Sequence, residues 1–275
     1  MKILSLFDGI SCGMVALKSL DIPIERYCAF EIDKDAIKVS KDNFNNIEYY
    51  GDVTQADFTE FADFDLLIGG SPCSFWSNAR ANRTDKETKP DGRGYKLFME
   101  FVRAKNESRC RYFMYENNYS ISQQIKDAIS DALGVKPILI NSADFTAQNR
   151  KRLYWTNIPI TNHTSKDIKI GDVISKAING AAFRNQIVRG VLTPQINIRK
   201  DNKSNCLIAY MCNKNCCVQE QSGNIRPLSL PEFEILQGLP MGYTSSVGES
   251  KGKQLIALGW TIDVIKHIFS YFQKK

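Results

Sequence analysis

Four side chains stand out by type and spacing as able to do covalent chemistry: a cysteine, a glutamate and two arginines, each at the edge of an apolar run. Cys73 follows Asp65-Leu-Leu-Ile-Gly-Gly-Ser-Pro, which reads as a buried strand from Leu66 to Ile68, two glycines and a proline-fixed turn. Glu116 follows a second run, Arg111-Tyr-Phe-Met-Tyr115, and is itself followed by Asn117 and Asn118. If the two strands are neighbours, a thiol and a carboxylate share one crevice and supply a nucleophile with an acid beside it. Gln148-Asn-Arg150-Lys-Arg152 enters a third run, and the two-residue repeat of a strand puts Arg150 and Arg152 on one face. Each feature also has a plainer reading. Cys73 suits a small buried hydrophobe, and the arginine pair suits a solvated basic edge.

Composition bounds what such a site could serve. The chain has 275 residues, 43% hydrophobic and 24% charged, enough for one large domain or one domain with an insertion. No apolar run approaches the roughly 20 residues that cross a bilayer, and the opening Met1-Lys-Ile-Leu-Ser-Leu-Phe-Asp8 meets an acid too soon for a signal peptide. A cytoplasmic protein with reduced thiols is therefore expected. The cluster Cys206, Cys212, Cys216 and Cys217 has no Cys-x2-Cys spacing, and the histidines, His163 and His267, lie elsewhere, so no metal site is expected. A formal charge of +6 permits a polyanionic partner without demanding one.

The elements that must hold these residues alternate strand and helix. Lys2 to Phe7 reads as a strand, Asp8-Gly9-Ile-Ser-Cys-Gly13 as a turn, and Val15, Leu17 and Leu20 mark a helix, the first unit of a nucleotide-binding sheet. The next strand, Arg26 to Phe30, ends on Glu31, an acid placed for ribose hydroxyls or simply for the start of the following helix. Ile47 to Tyr50 leads to Gly51-Asp52-Val53 and offers Asp52 to an adenine amino group. Residues 77–94 are polar and aperiodic, either a lid whose Arg80, Arg83 and Arg93 touch phosphates or a solvated loop. Helices are expected over 95–104 and 122–133, with a strand over 136–140.

Beyond Ile160 the alternation stops. Residues 161–225 read as a small inserted module with short strands at 187–192 and 206–210. A helix then starts at Ser229 and stops at Gly238, and a last one spans 262–272. The expected division is one domain made of 1–160 and 226–275, with the module at 161–225 between them.

In this order the motifs resemble those of the C5-cytosine DNA methyltransferases: Phe7-Asp8-Gly9, Glu31, Gly51-Asp52-Val53, Gly-Gly-Ser-Pro-Cys73, Glu116-Asn117, Gln148-x-Arg150-x-Arg152 and Leu236-Gln-Gly-Leu-Pro240. The likeness extends over nearly the whole chain and suits a small bacterial or phage enzyme. Some stretches, such as Leu4 to Ile10 and Gly259-Trp260, are closest to the catalytic domain of the animal de novo enzymes. The resemblance implies a doubly wound Rossmann-like α/β fold that binds S-adenosylmethionine, with 161–225 as target-recognition module. It implies DNA methylation of the kind found in restriction-modification, on a cytosine flipped out of double-stranded DNA. Cys73 would attack C6, Glu116 would hold N3 and the N4 amino group, Arg152 would contact O2, and Arg150 would support the loop or a phosphate. Phe7, Asp8, Gly9, Glu31, Ile32, Asp52, Val53, Pro72, Leu97 and Trp260 would bind the cofactor. Two further readings stay open, an RNA cytosine-C5 methyltransferase of the same fold and a catalytically inactive DNA-binding relative, and so does the choice between a monomer and a dimer through the sheet edge.

Overall fold

The computed structural model describes residues 1–76, 86–188 and 191–274. Internal contacts divide the chain into two units. The first is Met1–Ile140, Lys151–Thr161 and Ile265–Lys275, and the second is Asn141–Arg150 and Asn162–Val264. The sequence reading groups 226–264 with the first unit. Here these residues join the second through buried side-chain hydrogen bonds, which no local periodicity reports.

The first unit is built on β1 (Lys2–Leu6), α1 (Cys12–Lys18), β2 (Arg26–Phe30), α2 (Lys34–Asn43), β3 (Ile47–Tyr49), β4 (Leu66–Gly69), α3 (Arg93–Ser108), β5 (Tyr112–Asn118), α4 (Gln123–Leu133), β6 (Ile138–Asn141) and β7 (Lys151–Thr156). Strand order in the sheet is β3-β2-β1-β4-β5-β7-β6. β1 pairs in parallel with both β2 and β4, and the chain order reverses there, which opens a crevice at the carboxyl ends of these strands. Continuous apolar runs are what a sheet covered on both faces requires, and Ile3, Leu4, Leu66, Leu67 and Ile68 are fully buried. β7 runs antiparallel to β5, with Asn118 opposite Arg152. That pairing carries β5 through Glu116, Asn117 and Asn118, so Glu116 stands inside the ladder where the sequence suggested a residue just beyond it.

Local signals explain the helices that frame the crevice. Ser122 caps α4 by accepting from the Ile125 N–H, and Gly134, at φ +73°, ends it. α3 runs longer at both ends than the expected 95–104. Its Phe98 and Phe101 are fully buried, and Phe101 crosses the end of β4 so closely that a Cβ on Gly69 would lie 2.9 Å from its ring. Around them one apolar cluster holds Leu4, Leu6, Phe30, Phe58, Trp76, Tyr115, Ile125 and Trp155.

The second unit contains α5 (Ile170–Val173), β8 (Ala177–Val188), β9 (Val191–Ile198), α6 (Cys212–Asn215), β10 (Cys217–Glu220), β11 (Ile225–Pro227), α7 (Leu230–Gln237) and α8 (Glu249–Leu258). A further helix, α9 (Ile262–Phe269), begins in it and ends in the first unit. Its sheet is antiparallel, in the order β11-β10-β8-β9. The strand expected at 187–192 is the ends of two strands: Val188 closes β8 opposite Val191, which opens β9, and residues 189–190 lie outside the described residues. The strand expected at 206–210 is irregular, because the Leu207 N–H donates to the Gln148 side chain instead of a ladder. α7 has the expected ends, with a capping box between Ser229 and Glu232 and Gly238 at φ +80°. α9 stops at Phe269 and gives way to a 3₁₀ turn, Ser270–Lys274, short of the expected single helix. Residues Glu249–Gln273 are apolar enough on average to span a membrane, but extended backbone at Gly259 divides them and half of that apolar window is buried.

Candidate active site

The loop that carries Cys73 is held on both sides. β4 ends at Gly69, Ser71 is buried, Pro72 is exposed, and a partly exposed Cys73 opens a single 3₁₀ turn, Cys73–Phe75. The next residue, Trp76, is fully buried, and its indole N–H donates to Glu87 at 3.1 Å. Glu87 also accepts from the Gly94 N–H at 3.0 Å and so caps the first turn of α3. From the neighbouring strand, the Asn117 amide donates to the Ser71 carbonyl at 3.2 Å.

Glu116 and Arg152 meet across the β5–β7 pair, with Arg152 Nε 3.0 Å from Glu116 Oε1. Both side chains are mostly buried, at 11% and 16% exposure. Charge-assisted contact in such a place fixes the carboxylate's orientation, and a further N–H of the guanidinium donates to the Lys151 carbonyl at 2.9 Å. Asn118 turns the chain toward α4 by accepting from Ser120 N–H at 2.9 Å and Ser120 Oγ at 2.7 Å.

Arg150 does not share Arg152's surroundings. β7 begins at Lys151, and the Arg150 guanidinium, 4% exposed, donates to the carbonyls of Leu207 (3.2 Å), Ala257 (3.1 Å) and Gly259 (2.8 Å). Gln148 joins the same buried system, donating to Leu236 O at 3.0 Å and Gln237 Oε1 at 2.8 Å. Gln237 in turn donates to Ile256 O and Gly259 O. Two motifs that lie far apart in sequence thus close one knot within the second unit.

At the tips of β1, β2 and β3 the expected cofactor residues are arranged in different ways. Phe7, Gly9 and Ser11 have φ of +56°, +57° and +57°, so the turn after β1 alternates in and out of the left-handed region. A Cβ at Gly9 would meet nothing within 4 Å, so open space lies over the turn. Asp8 points inward, accepting from Ser5 Oγ at 2.5 Å, Tyr27 Oη at 2.7 Å and Ser11 Oγ. Burial pushes its carboxyl up to about 6 despite these donors. Glu31 accepts three backbone N–H groups, from Gly9, Ile32 and Asp33, each at 2.8 Å, which locks its carboxylate at the strand tip. Ile32 is 71% exposed. Asp52 is exposed beside Gly51, its Oδ1 accepting from Thr54 N–H at 2.9 Å, and Val53 is buried beneath it. Leu97 is half-buried on α3, and Trp260, also half-buried, follows α8 in the second unit.

Other candidates from the sequence fall outside this set. Arg80 and Arg83 lie outside the described residues, while Arg93 is exposed at the start of α3 over the ring of Phe75. Among the described residues no three His, Cys, Asp or Glu side chains gather as metal ligands. Cys216 and Cys217 are buried, which pushes their thiols up to about 12 and about 11. Sequence reasoning passed over Ser71, Tyr27, Glu87 and Gln237 as positioning groups. Ser71, inside Gly-Gly-Ser-Pro-Cys73, and Gln237, inside Leu236-Gln-Gly-Leu-Pro240, carried a signal.

The family model for the C-5 cytosine-specific DNA methylases matches residues 1–169. The chain belongs to this family. It is 28% identical over 265 residues to the orphan methyltransferase M.SPRI of Bacillus phage SPR, an alignment covering 82% of this chain and 59% of that protein. The chain thus spans about six-tenths of the phage protein's length. With the type II methyltransferase M1.ScrFI of Lactococcus lactis subsp. cremoris it shares 24% identity over 287 residues, covering 91% of this chain and 72% of that one. The solved structure of the Entamoeba histolytica methyltransferase EhMeth superposes with a TM-score of 0.71 at 15% identity, covering 98% of this chain and 97% of that chain. At that identity the likeness is one of fold, and the fold is the doubly wound sheet that the family resemblance implied. Family membership gives the Cys73 loop, the Glu116–Arg152 pair and the three strand tips a common context.

Proposed function

We propose that this chain is an S-adenosylmethionine-dependent DNA (cytosine-5-)-methyltransferase acting on a cytosine flipped out of double-stranded DNA. The observation that carries the reading is the Glu116–Arg152 ion pair across β5 and β7, β5 being the neighbour of the strand that leads to Cys73. A carboxylate and a guanidinium in that relation suit a pyrimidine, with the acid at N3 and the N4 amino group and the arginine at O2. Cytosine C5 is a poor nucleophile. Addition of the Cys73 thiolate to C6 makes C5 an enamine carbon, while Glu116 stabilises the charge that develops at N3. C5 would then take the methyl group as its bond to the sulfonium sulfur breaks and leaves S-adenosylhomocysteine, a base would remove the C5 proton, and the C6–S bond would break to return the thiolate. A thiol of ordinary acidity is only a few per cent ionised at pH 7, so nearby positive charge favours the attacking form.

The residues at the strand tips fit the donor. S-adenosylmethionine supplies an electrophilic methyl group when bound. Glu31, locked by three N–H groups, and the exposed Asp52 would receive ribose hydroxyls and the adenine amino group, over the open turn at Gly9. Asp8, half-buried beneath, holds that turn. Residues 161–225 are assigned to target recognition, since the sequence from Ala177 to Lys200 contains four basic residues, Arg184, Arg189, Arg199 and Lys200, and no acid. The setting is the cytoplasm of a bacterium or phage-infected cell.

Incubation with S-adenosylmethionine labelled in its methyl group, and with either duplex DNA or RNA, tests the reading. Label in C5 of DNA cytosine is expected. Label in RNA alone would move the chain to RNA methylation, and label in neither would mark an inactive relative.

A further inference from the structure

We propose that Tyr115 is a positioning residue for Cys73, acting through a buried hydroxyl pair with Ser71. Tyr115 Oη and Ser71 Oγ stand 2.7 Å apart, both residues buried, and Ser71 lies two positions before the thiol. The Asn117 amide bridges the same pair, donating to Tyr115 Oη at 3.1 Å and to Ser71 O at 3.2 Å. Two polar side chains of β5 therefore converge on Ser71, just beyond the end of β4, from which the chain turns into Pro72 and Cys73.

The tyrosine ring has little freedom to point elsewhere. Its centroid lies 5.0 Å from Phe98, 5.0 Å from Phe101 and 5.9 Å from Trp155, and Tyr115 sits opposite Gly69 in the β4–β5 ladder. A phenylalanine would fill that aromatic box equally well. The hydroxyl is the part of Tyr115 that hydrogen-bonds to the loop, and a buried polar atom is kept where its partners are fixed. Its partners fix the backbone at Ser71, and a nucleophile displaced by an ångström loses much of its rate. Tyr115→Phe would leave Ser71 Oγ and one Asn117 N–H without this partner and let the turn relax.

The activity arm of the test rests on the proposed methylation reading; a chemical arm does not. In the full chain, Tyr115→Phe and Ser71→Ala are each expected to lower kcat about tenfold, with KM for DNA and S-adenosylmethionine changed less than about twofold. The double variant is expected to be about as slow as either single one, since both break the same contact. Independently, iodoacetamide labelling of the Cys73 peptide, followed by mass spectrometry across pH, should change at least about threefold in rate in both variants, while labelling of Cys212 stays constant. Unchanged labelling of Cys73 in both variants would overturn the proposal. So would a loss of rate that merely follows the folded fraction in urea, with all thiols labelled faster together. If the wild-type chain transfers no methyl group at all, the methylation reading fails and the labelling result alone decides the role of Tyr115.

Discussion

Arg152 directs its guanidinium to the carboxylate of Glu116, whereas Arg150, two residues earlier, directs its own to the main-chain carbonyls of Leu207, Ala257 and Gly259. One side chain type therefore does two kinds of work within a single Gln-x-Arg-x-Arg motif. A side-chain carboxylate can exchange one partner for another when a ligand enters, so the Arg152 pair is suited to binding. Buried main-chain carbonyls are fixed in place and costly to leave unpaired, so the Arg150 knot is suited to holding residues 141–150, 207 and 257–259 in one unit. The comparison separates chemistry from architecture more sharply than the motif does.

The largest expected effect breaks the architectural side. Arg150→Met removes the guanidinium from three carbonyls, of which Gly259 O keeps the Gln237 N–H, and should lower the unfolding free energy by about 3–5 kcal/mol, read from urea denaturation. A loss below about 1 kcal/mol would mean that water or other donors replace the guanidinium easily. Glu116→Gln tests the other side. It should lower kcat by about a hundredfold while shifting the urea midpoint little, and a large stability loss with unchanged kcat would reverse the assignment.

A smaller effect concerns Asp8, which belongs to neither arginine system and serves as a reference for burial alone. Its folded value of about 6 lies above the ordinary 3.8. As pH rises from about 4 to about 6 the unfolded chain gives up this proton while the native state retains it, so Asp8's contribution to stability falls across that window, by on the order of 2 kcal/mol. Urea midpoints between pH 4 and 7 should show a shallower decline in Asp8→Asn than in the wild type. Identical slopes would place the titration elsewhere.

Much of the first unit was legible in the sequence because inner parallel strands are continuous apolar runs. Arg26–Phe30 has the expected limits, and Lys2–Leu6 and Leu66–Gly69 differ by one residue. The start and stop of α7 at Ser229 and Gly238 were equally plain. Less legible was whatever depends on partners distant in sequence. Glu116 joins the ladder only because β7 returns antiparallel beside it, and Leu207 leaves a strand-like run because Gln148, 59 residues away, takes its N–H. Asp8 and Glu31 were both read as ligand-facing acids, yet Asp8 points inward to three hydroxyls and only Glu31 keeps its carboxylate at the strand tip. Alternation along a strand could not foresee that Arg150 stands before the strand starts.

The central claim is that Cys73 bonds covalently to cytosine, and a trapped adduct tests it most directly. DNA made throughout with 5-fluorocytosine removes the need to know the target sequence, and fluorine at C5 cannot leave as a proton, so the final elimination stalls. With S-adenosylmethionine present, the wild-type chain is expected to give a denaturant-stable protein–DNA band whose cross-linked peptide contains Cys73, and Cys73→Ala none. A band that survives in Cys73→Ala, or methyl transfer to ordinary DNA by that variant, would contradict the account.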